Sequence, residues 1–300
     1  MTAQIRSRPS YEAKMKDFKI DSVGVVGLGL IGASILKDIQ AHAPNIERFG
    51  YSSGRELEIA LNDNLIVAAS FSEMINRCDL IIISTPISSV ISVAKRIKNQ
   101  KKSKKNLIVI DVSSVKKEIS KKFKELTNNV IDFIPTHPMG GSEKNGYEGA
   151  RRGLFQQKTW LICAEQSDKT REVQNLIARC CGAKVRYLSP EFHDQYVAVA
   201  SHMILDLSSF LFEFVGTKHP EALGIAGESF ITTTRLASDN PKMLADINQQ
   251  NFDFIKDVFM DFIAFLQIKL DNPKELNQEF FTDNKLSRDS WLHHRNRTKE

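Results

Sequence analysis

The sequence predicts an α/β protein in two parts: a mainly parallel sheet covered by helices, then an all-α C-terminal domain. Three observations predict this. Up to residue 187, short runs rich in β-branched residues alternate with amphipathic stretches of helical length. Those runs are almost continuously apolar, as strands buried on both faces must be. After Ser189-Pro190 the alternation stops and helix-length segments follow. Composition agrees. The 300 residues are 42% hydrophobic and 26% charged with a net charge of +5, which excludes a disordered chain and leaves room for two domains. That charge is too small to argue for nucleic acid, whereas small anions suit it.

In chain order, residues 1–18 are polar, contain no apolar leader and read as a flexible arm. Candidate strands follow at 23–26 (VGVV), 48–51 (RFGY), 65–68 (LIVA), 80–84 (LIIIS), 107–111 (LIVID), 130–134 (VIDFI), 159–163 (TWLIC) and 184–187 (KVRY). Residues 19–189 are therefore assigned to the sheet domain and 190–300 to the helical one. The basic cluster 95–105 lacks interleaved aromatics and reads as a solvated loop, so no nucleic-acid partner is expected. Cys78, Cys163, Cys180 and Cys181 have no CxxC spacing. They read as buried reduced thiols in a cytoplasmic protein without a metal site.

In the second domain, residues 197–215 are the most apolar long stretch, yet they carry Ser201, His202, Asp206 and Glu213. Those groups are costly in lipid, so the stretch reads as a buried helix and no membrane partner is expected. Helix breaks are expected near 218–220 and 240–241, at prolines. Twelve of the eighteen phenylalanines lie beyond residue 190. Over 251–270, Phe252, Ile255, Phe259, Phe262 and Leu266 form one apolar stripe, and Phe254, Val258 and Phe265 a second. A helix apolar around most of its circumference needs cover on two sides, which predicts a homodimer through the C-terminal helices. From residue 271 the sequence reads as a polar tail. Charge is divided as well: residues 1–190 hold 30 basic and 19 acidic side chains, residues 191–300 hold 11 and 17.

The segment 23–36 (VGVVGLGLIGASIL) reads as strand, tight turn and helix. Gly27 permits the turn, Gly29 lets backbone approach a pyrophosphate, and Gly32 allows close packing of helix on strand. Leu28, Leu30 and Ile31 complete the phosphate-facing turn, where a helix N-terminus offers N–H groups to an anion. Inside a βαβ frame this motif predicts a Rossmann-type dinucleotide site. The second strand ends in Ser52, Ser53 and Arg55 with no acid before Glu56. Hydroxyls and a guanidinium suit a 2′-phosphate, so NADP is favoured over NAD. Ser84, Thr85 and Pro86 end the strand that should flank the nicotinamide half.

Two more segments end strands with chemistry-capable side chains: DVSSVKKE at 111–118 and FIPTHPMGGSEKNG at 133–146. Strand carboxyl ends face the ligand in this fold, so Ser113, Ser114, Lys116 and His137 should converge there. Ser113 is assigned to the cofactor side and Lys116 to the substrate side. A histidine between Thr136 and Pro138, on a loop after the strand, suits a positioned base. From these residues alone the reading is an NADP-dependent oxidation with His137 as proton acceptor.

With those motifs, and with HDQYVAVASH at 193–202 and TTRLASDNPKMLADI at 233–247, residues 21–271 resemble the prephenate/arogenate dehydrogenases of tyrosine biosynthesis. The resemblance implies oxidative decarboxylation of a cyclohexadienol, prephenate or arogenate, with hydride transfer to NADP or NAD. It implies His137 as the base, Ser114 bonded to the substrate hydroxyl and to His137, and Arg235 as the clamp on a substrate carboxylate. Glu143 falls in the substrate-side loop and His202 in the SH motif. His193 and Asp194 read as a helix-start pair. Leu205 stands where prephenate-specific members often have a second histidine, and Leu244 where many have tryptophan. Both departures leave prephenate and arogenate open. With the two domains filling the sequence, tyrosine inhibition is expected at the active site. The competing readings are a β-hydroxyacid dehydrogenase or imine reductase, and a non-catalytic dinucleotide-sensing regulator.

Overall fold

The computed structural model of the chain describes residues 20–102, 106–127, 131–142, 144 and 146–297. The expected arm at 1–18, residues 103–105 of the basic cluster, Val130 of the sixth candidate strand, and Glu143 lie outside the described residues.

Seven strands form one sheet: β1 (Ser22–Val26), β2 (Glu47–Tyr51), β3 (Leu80–Ile83), β4 (Ile108–Asp111), β5 (Asp132–Pro138), β6 (Thr159–Ile162) and β7 (Lys184–Tyr187). Their order is β2-β1-β3-β4-β5-β6-β7. Every neighbouring pair is parallel except β5 with β6. Alternate side chains enter two cores. Val23, Val25, Leu80 and Ile82 pack on one face with α1 (Leu30–His42) and α6 (Asp168–Cys180). Ile81, Ile83 and Val109 pack on the other with α3 (Phe71–Arg77), α4 (Ile87–Gln100) and α5 (Lys117–Thr127). Burial on both faces is why the strands carry no polar alternation. The short α2 (Glu56–Asn62) follows β2.

Two sequence expectations are corrected here. Residues 65–68 do not form a strand; they make a single bridge, Val67 with Phe49, alongside β2. Arg48 Nε takes the Leu65 carbonyl at 3.1 Å, an acceptor that a longer ladder would use. Second, His137 is not on a loop. The antiparallel β6 pairs with Thr136, His137 and Pro138, extending β5 through the histidine.

Helices α7 (Pro190–Val197) and α8 (Met203–Lys218) are joined by a π-helical turn, Ala198–His202, into one run. α9 (Glu228–Thr234), α10 (Pro241–Asp271) and α11 (Gln278–Arg297) follow. The expected polar tail is thus largely helical, with Phe281, Leu286 and Trp291 exposed along it. α10 is broken at Asn251, whose φ of −123° and ψ of 17° leave the helical region. The run Pro190–Lys218 has the length and mean hydropathy (1.4) of a membrane span. It also buries His193, Asp194, His202 and Asp206, which hydrogen-bond to neighbouring elements, so it reads as a domain-core and interface helix.

Two carboxylates of the helical domain seat on helix starts of the sheet domain. Asp194 accepts the Lys116 and Lys117 N–H groups, both at 2.8 Å, where α5 begins. Asp246 accepts the Ser88 N–H at 3.3 Å and its hydroxyl at 2.9 Å, in the first turn of α4. Pro86 precedes that helix and has no side-chain cap of its own, so Asp246 supplies one from another domain.

Candidate active site

The glycine turn lies beyond the carboxyl ends of β1 and β3, where the strand order reverses. Gly27 has φ +98°, and a Cβ there would lie 2.3 Å from the Ser84 carbonyl oxygen. A Cβ on Gly32 would lie 2.1 Å from the Gly27 carbonyl oxygen, so α1 can approach β1 this closely only with glycine. Gly29 faces open space, heads α1 without a side-chain cap, and no acidic residue occupies the first turn. A helix N-terminus left uncapped and unobstructed fits a pyrophosphate. Leu28 is buried, while Leu30 and Ile31 are half-buried in the turn. Ser84 and Thr85 are half-buried and Pro86 exposed at the end of β3, and Thr85 Oγ1 is a buried hydroxyl without a partner among the described residues.

At the tip of β2, Ser53 and Arg55 are exposed. Ser52 is engaged: its hydroxyl donates to Glu56 Oε2 at 3.2 Å. The first residue of α2 thus folds its carboxylate back to the place where a dinucleotide's adenosine ribose is expected.

The second cluster joins both domains. Asp111 ends β4 with its side chain fully buried, and Lys116 Nζ and Ser113 Oγ both bond to its Oδ2. Lys116 Nζ also donates to Ser113 Oγ at 3.0 Å. This corrects two assignments. Lys116 has no exposed surface to offer a substrate, because its ammonium is consumed by an interior ion pair. Ser113 spends its hydroxyl on the same pair rather than on a cofactor. Ser114, the neighbour, is half-buried.

His137 is buried, and its Nδ1 lies 3.0 Å from His193 Nε2. His193 Nδ1 lies 2.7 Å from Asp194 Oδ1. His202 Nδ1 meets Asn251 Nδ2 at 3.0 Å, and the same amide donates to the Asp194 carbonyl at 3.0 Å. The break in α10 therefore places a polar side chain between two elements of the site. Burial, reinforced by His193, Lys116 and His202, holds His137 well below the usual histidine range. Burial likewise lowers His193, against the opposing Asp194 hydrogen bond, and brings His202 to about 4. Each is shifted toward its neutral form.

Arg235 opens a 3₁₀ turn, Arg235–Ser238, and is exposed. Ser208 of α8 anchors that turn by accepting the Ala237 N–H at 3.1 Å. His137, Ser114 and His202 come together at the seam between domains, whereas Arg235 lies in the helical domain. His193, Asp194 and Asn251 are the members that the sequence reading did not place in the site. The four cysteines are free and buried. Among the described residues, no group of three or more His, Cys, Asp or Glu side chains is arranged to hold a metal.

A dinucleotide turn after β1 and a buried histidine at the carboxyl end of β5, in one mainly parallel sheet, mark a Rossmann-type oxidoreductase. Two family models match the chain: the prephenate dehydrogenase nucleotide-binding domain over residues 36–187 and the prephenate dehydrogenase dimerization domain over residues 189–279. The chain belongs to the prephenate dehydrogenase family. It is 25% identical over 257 residues to a cyclohexadienyl dehydrogenase of Zymomonas mobilis, covering 82% of this chain and 86% of that one. It is 28% identical over 253 residues to a prephenate dehydrogenase of Bacillus subtilis, covering 81% and 67%. Its fold matches the Synechocystis arogenate dehydrogenase with a TM-score of 0.75 at 24% identity, over 90% of this chain and 99% of that one. It also matches a prephenate dehydrogenase from A. aeolicus in complex with hydroxyphenyl propionate and NAD+, with a TM-score of 0.77 at 22% identity, over 91% and 98%.

Proposed function

We propose that the protein oxidises and decarboxylates prephenate, arogenate or both, with His137 as the base. The observation that carries this reading is a buried histidine at the carboxyl end of β5, in the sheet that bears the dinucleotide turn, with its Nδ1 held by His193 and its environment favouring the neutral form. A neutral imidazole has a lone pair for the ring hydroxyl proton, and its burial keeps competing water away. A nicotinamide dinucleotide, when bound, supplies the hydride acceptor. Ser114 hydrogen-bonds the same hydroxyl, and Arg235 pairs with a substrate carboxylate through two parallel N–H donors. His202, at the end of the π turn, completes the pocket; for Glu143 the resemblance alone supports a substrate-binding role. Loss of CO2 follows without further help because the ring becomes aromatic. Leu205 and Leu244 flank the part of the pocket that meets the substrate side chain, an apolar lining compatible with either the keto acid or the amino acid.

Glu56 sharpens the dinucleotide preference. Its carboxylate beside Ser52 can accept a ribose 2′-hydroxyl and repels a 2′-phosphate. In this arrangement NAD is the better fit, and NADP, favoured by Ser53 and Arg55, requires Glu56 to turn away. Glu56→Gln should raise the ratio of kcat/KM for NADP over NAD by about tenfold, or roughly 1.4 kcal/mol. An unchanged ratio would remove Glu56 from the site.

The exposed apolar faces of α8 and α10 support a homodimer, and a cytoplasmic enzyme is the setting this reading requires. The deciding experiment follows reduced nicotinamide by absorbance, with prephenate or arogenate and NAD or NADP. Turnover is expected with at least one of the four pairs, and its absence with all four sinks the proposal. His137→Asn should lower kcat by about 10³-fold while dinucleotide binding stays within threefold.

A further inference from the structure

Behind His137 lie two residues that the reaction as written leaves without a task. His193 and Asp194 are 0% and 1% exposed. Neither is needed to start α7, because Ser189 already caps it by accepting the Phe192 N–H at 3.2 Å. Asp194 is instead fixed from three sides. Its carboxylate takes the Lys116 and Lys117 N–H groups, its carbonyl takes Asn251 Nδ2, and its Oδ1 faces His193 Nδ1.

This arrangement dictates proton positions. A carboxylate has no proton to give, so His193 Nδ1 donates to Asp194. His193 Nε2 then holds a lone pair and accepts from His137 Nδ1–H. His137 is left with its lone pair on Nε2, the nitrogen not occupied by His193. We propose, on the reading of His137 as the base, that His193 and Asp194 are positioning residues that hold His137 in this tautomer and draw off the proton it takes. The substrate hydroxyl proton goes to His137 Nε2 as the C–H electron pair leaves as hydride for the nicotinamide ring. The proton on His137 Nδ1 is then shared with His193 Nε2, and the new positive charge settles against Asp194, which remains a carboxylate. One proton is released per turnover when the site resets.

The charged and titratable groups facing this chain are Lys116 and Asp111 from the β4–α5 segment, Cys163 after β6, and His202 from the π turn. The Lys116 ammonium opposes a second positive charge nearby, and Asp194 offsets it. Removing the Asp194 carboxylate should therefore make His137 harder to protonate and move the acid limb of the kcat/KM–pH profile downward.

The test compares His193→Phe, His193→Gln and Asp194→Asn with His137→Asn, each in the full chain with its preferred substrate and dinucleotide. His193→Phe should lower kcat by about 10²–10³-fold with the dinucleotide KM within threefold. His193→Gln keeps an acceptor for His137 Nδ1–H and should recover about tenfold of that loss. Asp194→Asn should shift the acid limb down by about one pH unit. Because Asp194 also caps α5, the two His193 variants decide the matter if Asp194→Asn is unstable. Near-wild-type turnover in His193→Phe beside an inactive His137→Asn overturns the relay and leaves the base standing. Equal losses in the Phe and Gln variants with an unmoved acid limb also overturn it, leaving only packing. Full activity in His137→Asn would overturn both readings.

Discussion

The two halves of the chain solve burial in opposite ways. The sheet domain closes its cores with its own helices: Phe49, Phe123, Trp160 and Leu154 are at most 1% exposed. The helical domain does not. Among the described residues, every exposed large apolar side chain except Val67 lies at or beyond Phe192, including Phe210, Phe214, Phe252, Ile263, Phe265 and Ile268. A soluble monomer rarely leaves so much apolar surface uncovered. One half is complete as a single chain, and the other leaves open the apolar faces that support the proposed homodimer. The site lies on the boundary between them, where Asp194 of the helical half seats on the start of α5 in the sheet half.

The contrast is most strongly tested by placing a charge on each side. Phe265→Asp, on the exposed face of α10, should weaken dimerisation by 10⁴-fold or more, on the order of 5.5 kcal/mol, with the sheet domain still folded. Sedimentation velocity at micromolar concentration measures it, and an unchanged dimer would place the interface elsewhere. Phe123→Ala should do the reverse. Phe123 stacks on Phe133 with ring centroids 3.8 Å apart, and its truncation should cost about 3–5 kcal/mol of stability without altering the oligomer. A midpoint shift in urea unfolding checks this.

Acid should act on the boundary itself. His202 is about 4 when folded and near 6.5 when unfolded, so the unfolded chain binds the extra proton between those values. The stability this contributes is fully present above about pH 6.5 and is lost as pH falls towards 4, up to roughly 3 kcal/mol. His137 and His193, also lowered by burial, add in the same direction. Thermal melting between pH 7 and 5 should show this slope, and His202→Gln should flatten part of it.

Most of the sheet was legible because a strand buried on both faces is written as an unbroken apolar run. The same signal misled at 65–68: Leu65 and Ile66 are indeed buried, but burial is not pairing, and Arg48 occupies the carbonyl a ladder needs. His137 was legible as a candidate base from its strand-end position and its motif. Its partners were not, because His193 is 56 residues away in sequence and only folding brings their rings together. Lys116 was misplaced for a related reason. A lysine reads as a solvent-facing cation until an aspartate five residues earlier is seen to hold it inside. Glu56 lies beyond the end of the strand in sequence, whereas the turn at Gly54 lets its side chain fold back to Ser52.

The π turn at Ala198–His202 has a consequence for how this chain tolerates change. A π turn amounts to one extra residue inserted into an α-helix, and each residue advances an α-helix by about 100°. Because the turn absorbs that residue within its own wider hydrogen-bonded ring, deleting one residue there would convert the run from Pro190 to Lys218 into a regular helix with Phe210 and Phe214 on nearly the bearing they now have. What would change is the turn itself, where His202 meets Asn251. The extra residue is therefore a device for placing His202 rather than for aiming the apolar faces downstream.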